Sequence, residues 1–164
     1  MEIIQIWESA NTSINSKKLP AISKKVKWKD YRGKKVLDFG GGKFNNFKEW
    51  LYKEFNIDLL IYDKFNRSEL ENIDALKSLN NGEVSLIICS NVLNVIKEDL
   101  IIKDIIKTVE GGKVPFIFTV YEGNRTGEGK PTKKDCYQRN QKLKEYQKFF
   151  TVNTTIKNNA IYSI

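Results

Sequence analysis

The sequence predicts an α/β fold with a mostly parallel sheet, helices on both faces and a C-terminal antiparallel hairpin. Three observations favour this fold class. Apolar runs typical of strands alternate along the chain with segments whose apolar residues recur at helical spacing. Residues 36–44 lead from an apolar strand through three glycines into a helix. Towards the end of the sequence, two apolar segments flank Asn158–Asn159, a pair that favours a tight hairpin turn.

The first strand and helix follow from residues 36–55. The strand runs to Asp38, glycines occupy positions 40–42, and a helix begins near Asn45. Its apolar residues recur at helical spacing and predict an amphipathic helix. These residues are Phe44, Phe47, Leu51 and Phe55.

The second strand covers residues 58–62 and is followed by Asp63. A buried central strand is predicted over residues 84–89, because this run is continuously apolar. The segment between Asp63 and that strand is too short for a helix, a strand and a second helix. We therefore expect one strand and its helix to be reduced or missing.

A further helix is predicted to carry Glu98 and Asp99 in its first turn and to end at Gly111–Gly112. Its buried face is predicted to consist of Leu100, Ile101, Ile105 and Val109. A strand over residues 113–121 follows it.

The basic segment 122–148 is predicted to be a loop and a helix. Glycine, lysine and proline mark residues 122–132 as a loop. Residues 133–148 are interpreted as a helix with Leu143, Tyr146 and Phe150 on one side. The closing hairpin then pairs residues 149–157 with residues 160–164.

Length and composition indicate a single domain over residues 1–164, with residues 1–32 as an N-terminal cap segment. The apolar stripe of this cap is predicted to consist of Leu19, Ile22 and Val26. No apolar run is long enough to cross a bilayer, and residues 1–10 lack the features of a secretion signal. We therefore expect a cytoplasmic protein with no membrane partner. Cys89 and Cys136 are too few for a disulfide scaffold or a zinc cluster, so no metal is expected.

The net charge of +8 is unevenly distributed. Residues 1–35 hold nine Lys and Arg against three acids, and residues 122–148 hold eight against four. Residues 36–121 hold ten against thirteen. Basic flanks around a slightly acidic middle favour a polyanion partner, because clustered cations displace the counterions of a phosphate backbone. A lysine-rich solvated surface is the alternative, and the sequence leaves both open.

The glycines at positions 40–42 predict a cofactor site. Glycine permits a sharp turn and lets a ligand approach the backbone closely. Asp63, after the second strand, is placed to accept hydrogen bonds from the two hydroxyls of a ribose. The pair indicates an adenosine-bearing cofactor. A nicotinamide dinucleotide is disfavoured because Asn45 occupies the third glycine position of that motif, and a glycine-rich turn without a ligand is the other alternative.

The run Asp-Phe-Gly-Gly-Gly over residues 38–42 resembles the first motif of class I S-adenosylmethionine-dependent methyltransferases. The resemblance implies a Rossmann-like, seven-stranded sheet that ends in a hairpin, with S-adenosylmethionine as the cofactor. It implies that the glycines meet the amino-acid end of the cofactor and that Asp63 holds the ribose. The cofactor-binding residues predicted in this way are Asp38, Gly40, Gly41, Gly42, Asp63, Lys64, Ser90 and Asn91.

Four further segments resemble phage-type methyltransferases and the methyltransferase group associated with DNA phosphorothioation. They are residues 11–20, 62–66, 89–96 and 127–140. This narrower resemblance touches most of the chain and implies the cofactor rather than the reaction.

The acceptor is predicted to bind beyond the strand ends, with Asn91 and Tyr121 as the catalytic candidates. Asn91 is suited to accept a hydrogen bond from an exocyclic amine, or alternatively to cap the loop before the next helix. Residues 90–93 read Ser-Asn-Val-Leu, so they lack both the Pro-Pro-aromatic motif of amino-methylating DNA enzymes and the Pro-Cys of cytosine-C5 enzymes. A histidine base is excluded because the sequence contains no histidine.

The segment 122–148 is the predicted substrate contact. Its cations are suited to phosphates, Gln138, Arg139 and Asn140 to a base or backbone, and Tyr137 to stacking on an extruded base. An ordinary solvated helix face is the alternative. The predicted substrate-binding residues are Arg125, Lys130, Lys133, Tyr137, Gln138 and Arg139.

These inferences predict an S-adenosylmethionine-dependent methyltransferase that acts on nucleic acid, DNA before RNA. Three alternatives are kept. In the first, the acceptor is a small molecule or a protein. In the second, the chain binds or cleaves the cofactor without transferring methyl, as a regulator or a phage counter-defence factor. In the third and last, it is a nicotinamide enzyme.

Overall fold

The structure is a computed structural model that describes residues 2–10, 18–133 and 135–164. Its strands are β1 (Lys35–Phe39), β2 (Asp58–Tyr62), β3 (Val84–Ser90), β4 (Phe116–Thr119), β5 (Lys130–Lys133), β6 (Cys136–Gln138), β7 (Thr154–Lys157) and β8 (Ala160–Ser163). Its α-helices are α1 (Asn46–Phe55), α2 (Glu69–Asn80), α3 (Asp99–Gly111) and α4 (Leu143–Gln147). Short 3₁₀ helices cover Ala21–Lys24, Trp28–Tyr31 and Leu93–Val95.

The main sheet has six strands in the order β2-β1-β3-β4-β8-β7. β1 pairs in parallel with β2 and with β3, whereas β8 runs antiparallel to both β4 and β7. β5 and β6 form a separate antiparallel pair. The predicted fold class, a mostly parallel, Rossmann-like sheet with a C-terminal antiparallel hairpin, is confirmed.

The chain divides into two compact units. The first, here called the glycine-loop unit, comprises Ser13–Ser90 and Val114–Phe116. The second, the hairpin unit, comprises Met1–Thr12, Asn91–Lys113 and Ile117–Ile164. The prediction of a single domain is not tested by this division and stays a prediction.

The glycine-loop unit is built on β1, whose residues from Val36 to Phe39 are all buried. Phe47 and Leu51 form the buried side of α1, as the helical spacing predicts. Between Asp63 and β3 the chain contains only α2. The expected shortening is therefore confirmed for the strand, while a helix of twelve residues is retained.

The N-terminal cap is divided between the two units. In the glycine-loop unit Ile22 and Trp28 are buried in short 3₁₀ helices, whereas Leu19 is exposed and Val26 is half-buried. The predicted stripe is therefore correct only at Ile22. Residues 11–17, which carry much of the N-terminal family resemblance, lie outside the described residues.

In the hairpin unit, the buried face of α3 is only partly the one predicted, because Val109 is buried as expected but Ile101 and Ile105 are half-buried. Ile102, Ile106 and Val109 are buried, while Leu100 is 54% exposed. Its apolar residues fit two helical stripes one residue apart, and only packing decides between them. The strand predicted over residues 113–121 is also shorter, because β4 is limited to Phe116–Thr119.

The prediction of a helix over residues 133–148 is wrong. Lys130–Lys133 and Cys136–Gln138 pair as β5 and β6, and α4 covers only Leu143–Gln147. Asp135 adopts a φ of 59°, a left-handed conformation that does not continue a helix. From Cys136 to Gln138 burial alternates with a period of two, which is typical of a strand.

The C-terminal hairpin is confirmed, with β7 and β8 joined through Asn158–Asn159. The two asparagines have φ values of 48° and 55°, as a two-residue turn of the I′ type requires. Asparagine tolerates this left-handed backbone better than most residues.

Candidate cofactor site

The glycine loop after β1 uses its backbone N–H groups internally. Gly40 and Gly41 donate to the carbonyl oxygen of Tyr62, at 2.6 and 3.3 Å. Gly42 donates to Oδ2 of Asp63 at 2.9 Å. All three glycine amides are thus directed at the end of β2. Gly40 and Gly42 have φ values of 85° and 75°, which explains why glycine is required at both positions.

Asp63 is buried and accepts four hydrogen bonds from its own surroundings. Besides Gly42, the donors are the backbone N–H of Phe65 at 3.1 Å, and both the backbone N–H and the side-chain amide of Asn66, at 3.0 and 3.1 Å. Asn72 of α2 binds both the N–H and the carbonyl oxygen of Asp63. A carboxylate offers about four acceptor positions. Three of the described donors are on Oδ1 and one, the N–H of Gly42, is on Oδ2, so Oδ2 is the oxygen that has room for a ribose hydroxyl.

Arg67 holds the other side of the loop, and sequence reasoning missed it. Its Nε donates to the carbonyl oxygen of Gly42 at 2.7 Å, and its Nη2 to that of Phe44 at 2.9 Å. Its Nη1 reaches Oδ1 of Asn45 at 2.7 Å and Glu71 at 3.4 Å. The side chain of Arg67 is only 7% exposed. Gly42 is therefore fixed at its N–H by Asp63 and at its carbonyl by Arg67.

A sequence signal for this cluster exists next to Arg67. Ser68 and Glu71 form a capping box, in which each side chain binds the backbone N–H of the other residue. The Ser-x-x-Glu pattern marks the start of α2 and places Arg67 just before it. Nothing in the sequence shows that Arg67 turns back onto the glycine loop, because that contact is made only by folding.

Asp38 lies directly against Gly41. A methyl group added at Gly41 would come within 2.7 Å of Oδ2 of Asp38 and 2.8 Å of Cγ2 of Ile61. Asp38 is 6% exposed, and its Oδ1 is buried with no hydrogen-bond partner among the described residues. A buried polar atom without a partner costs free energy, so this carboxyl group requires explanation.

The surroundings of Asp38 raise its pKa from 3.8 to about 7. Burial is the main cause, since it disfavours the charged form. The negative charge of Asp63 raises the pKa further, and the positive charge of Arg67 opposes this change. The thiol of Cys89 on β3 also has a raised pKa, chiefly through burial and then through Asp38.

The arrangement favours a ligand that brings hydrogen-bond donors or positive charge. Each of the three glycine amides already has an acceptor, whereas Asp38 Oδ1 receives no hydrogen bond from any residue that the structure describes. Lys64 follows this cluster with an exposed side chain above the ring of Phe65, at 5.8 Å, and Ser90 is the half-buried last residue of β3. The predicted cofactor residues from Asp38 to Asp63 are thus brought together in one unit.

In the hairpin unit, Asn91 and Tyr121 follow the ends of β3 and β4. The N–H of Asn91 donates to the carbonyl oxygen of Thr119 at 2.9 Å, and Asn91 is exposed with a φ of 57°. Tyr121 is 64% exposed, while its carbonyl oxygen is bound by the side chain of Gln138 at 2.9 Å. The backbone at both positions is therefore anchored and both side chains are exposed.

Three of the predicted substrate-binding residues are used inside the hairpin unit. Gln138 is buried between Asn94 and Tyr121. Arg139, 8% exposed, donates to the carbonyl oxygens of Ile96 and Lys97 and pairs with Asp99 at 2.7 Å. Tyr137 is half-buried.

The ring of Tyr137 is stacked on Trp7, with centroids 6.3 Å apart, and its hydroxyl lies against Gly129. By contrast, Arg125, Lys130 and Lys133 are exposed. Arg125 forms an ion pair with Glu122 at 3.1 Å. Asn140 is buried and binds the backbone of Asn124 and Glu128. The described lysines of this segment are exposed, whereas Gln138, Arg139 and Asn140 make hydrogen bonds within the hairpin unit.

No protein-family model matches the chain, and neither does any curated protein. The described residues contain no group of three or more acidic or cysteine side chains that could hold a metal ion. Across the same residues, no helix combines the length and apolar character needed to cross a membrane.

Proposed function

We propose that the chain is an S-adenosylmethionine-dependent methyltransferase that acts on nucleic acid, DNA before RNA. The sheet supports this proposal, because its last strand, β8, runs antiparallel between β4 and β7, in agreement with the hairpin of the family that the sequence resembles. When bound, the cofactor supplies a methyl group on a positively charged sulfur, which becomes a neutral thioether after transfer.

The backbone N–H groups of the glycine loop are the observation that favours S-adenosylmethionine over a dinucleotide, because they already have acceptors within the protein. A dinucleotide places its pyrophosphate against free backbone N–H groups after the first strand. Here Gly40, Gly41 and Gly42 donate within the protein, and the carboxyl groups of Asp38 and Asp63 lie beside them. Such surroundings disfavour an anion and favour the ammonium and sulfonium groups of S-adenosylmethionine.

Within this proposal each residue has a defined task. Asp38 accepts positive charge from the ligand, and Asp63 and Arg67 hold Gly42 in position. Asn91 and Tyr121 are exposed after two strand ends and are the candidates for acceptor contact. Exposed lysines of the 122–148 segment would meet phosphate groups, since such contacts give affinity without sequence information. Arg139 and Gln138 support that segment from inside.

Titration calorimetry with S-adenosylmethionine, its demethylated product and NAD tests the cofactor assignment. We expect the first two to bind and NAD not to bind. Asp63→Ala should weaken binding at least about tenfold, because a hydrogen bond from the ribose to this charged group would be worth roughly 1.5–3 kcal/mol and because Asp63 also fixes Gly42. Asp58→Ala, at the exposed start of β2, is the matched control and should bind normally. Absence of binding by both methyl compounds, or normal affinity of Asp63→Ala, would contradict the proposal.

Incubation with methyl-labelled cofactor and DNA, RNA or protein separates transfer from binding alone. Label should appear in DNA, and to a smaller extent in RNA. Cofactor binding without transfer to any of these acceptors would instead support a cofactor-binding regulator.

A further inference from the structure

We propose that residues 18–34, here called the basic strap, form a second surface for the phosphate backbone of a nucleic acid, on the glycine-loop unit itself. This inference rests on the proposed function for the kind of polymer. It adds a contact surface outside the 122–148 segment, and that surface requires neither the cofactor nor methyl transfer in order to bind.

The first support is the charge of the basic strap. It holds seven Lys and Arg against one acid, Asp30. Lys25 is half-buried, and the other six cations are exposed. None of these six forms an ion pair with any residue that the structure describes. They are Lys18, Lys24, Lys27, Lys29, Arg32 and Lys34.

The second support is that the basic strap is fixed to both ends of α1. At the start of the helix, Nδ2 of Asn46 donates to the carbonyl oxygen of Lys18 at 2.8 Å. At its end, the N–H of Gly33 donates to the carbonyl oxygen of Asn56 at 3.1 Å. The basic strap therefore spans the helix, a length of about 15 Å. Along one strand of a DNA duplex this distance covers about four phosphates.

Buried packing also fixes the middle of the basic strap. Trp28 is 4% exposed, and its ring meets that of Phe47 edge-on with centroids 5.8 Å apart. Its Nε1 donates to the carbonyl oxygen of Ser23 at 2.7 Å. Lys27 and Lys29 flank this buried side chain and are both exposed. The backbone that carries these two lysines is thus fixed before a ligand binds, so that binding costs less conformational entropy.

The third support is a contrast with the 122–148 segment. That segment holds eight Lys and Arg against four acids, and three of its cations form ion pairs. The basic strap has the larger surplus of positive charge in the shorter stretch of chain. Cations without ion-pair partners are available to phosphates, and the counterions that the phosphates then release favour binding.

The test is the binding of labelled duplex DNA, measured by fluorescence anisotropy at several salt concentrations without cofactor. Lys27→Gln combined with Lys29→Gln should reduce the slope of log affinity against log salt by about 2, because each lost phosphate contact reduces it by about 1. Lys103→Gln combined with Lys107→Gln, at two exposed positions of α3, changes the net charge equally and should leave the slope unchanged. Lys27→Arg combined with Lys29→Arg keeps the charge and should keep the slope.

The outcomes separate the basic strap from the proposed function. A slope that the glutamine pair on the strap leaves unchanged, or that the pair on α3 reduces equally, overturns the inference and leaves the proposed function in place. Absence of DNA binding, with or without binding to phosphatidylserine vesicles, overturns both the inference and the nucleic-acid acceptor. The cofactor assignment is decided separately, by the calorimetry of S-adenosylmethionine.

Discussion

Asp38 is buried beside a second carboxylate, and none of the described residues donates a hydrogen bond to its Oδ1. In the unfolded chain its pKa is near the ordinary value of 3.8, and in the folded chain it is about 7. The folded state therefore holds an extra proton between these values. By proton linkage, stability then falls as pH rises from about 4 to about 7, and the loss is complete above that range.

Replacing this carboxyl group with an amide should remove the loss of stability at high pH. We expect Asp38→Asn to be more stable than the wild type at pH 8, by at most about 4 kcal/mol, with little difference near pH 4. Urea unfolding of both proteins at pH 4.5, 6 and 8 measures the change. The difference in free energy of unfolding between the two proteins isolates the effect of Asp38 from that of the other acids. If it does not grow with pH, the raised pKa is contradicted.

At the scale of elements, the glycine loop and the β5–β6 hairpin are both held by a buried arginine. Arg67 binds backbone carbonyls of the loop, and Arg139 binds the carbonyls of Ile96 and Lys97. In each case a cation that could have faced a ligand is turned inward. The number of cations in the sequence therefore overstates the number that a ligand can reach at the surface.

Arg139→Met should lower the free energy of unfolding by about 2–3 kcal/mol, because charged hydrogen bonds to buried carbonyls are lost. The amides of Cys136–Gln138 should also exchange faster with deuterium. Arg125→Met is the matched control, with an exposed side chain and one ion pair, and it should change stability by less than about 0.5 kcal/mol. Unfolding in urea and hydrogen exchange measure both variants. Equal stability of the two would show that Arg139 does not hold the hairpin.

Elements whose conformation is determined by the backbone preferences of neighbouring residues could be predicted from the sequence. Asn158–Asn159 defines its hairpin through backbone preference, and the glycines at 40–42 define the turn after β1. The face of α3 and the β5–β6 hairpin could not be predicted in this way. The apolar run of α3 allows two stripes, and Leu143, Tyr146 and Phe150 suggested too long a helix.

The candidate site was predictable to a similar degree. Asp38, the glycines and Asp63 follow from one motif and its spacing. The inward role of Arg67 and the four donors of Asp63 depend on how β2 and α2 meet the loop, which no local pattern encodes.

The whole molecule carries a net charge of +8, but some of its cations, such as Arg139 with Asp99, form ion pairs within the protein. The exposed cations of the 122–148 segment include Arg125, Lys130 and Lys133, and phosphate groups can reach them. Affinity for a nucleic acid should then depend on salt, because each phosphate contact releases counterions.

Duplex DNA should bind more weakly as salt rises, and Lys130→Gln should reduce the slope of log affinity against log salt by about 1. Lys103→Gln, an exposed lysine on α3, is the control and should leave the slope unchanged. Fluorescence anisotropy of labelled DNA at several salt concentrations measures both. Salt-insensitive binding, or none, would argue against a nucleic-acid acceptor.

The position of β8 also bears on the synthesis of the chain. β8 pairs with both β4 and β7, yet it is the last of the described strands to leave the ribosome. Until it does, one edge of the apolar β4 is open and β7 has no partner. Open apolar edges template pairing between molecules. A growing or prematurely terminated chain is therefore prone to aggregation until Ala160–Ser163 pairs with β4 and β7.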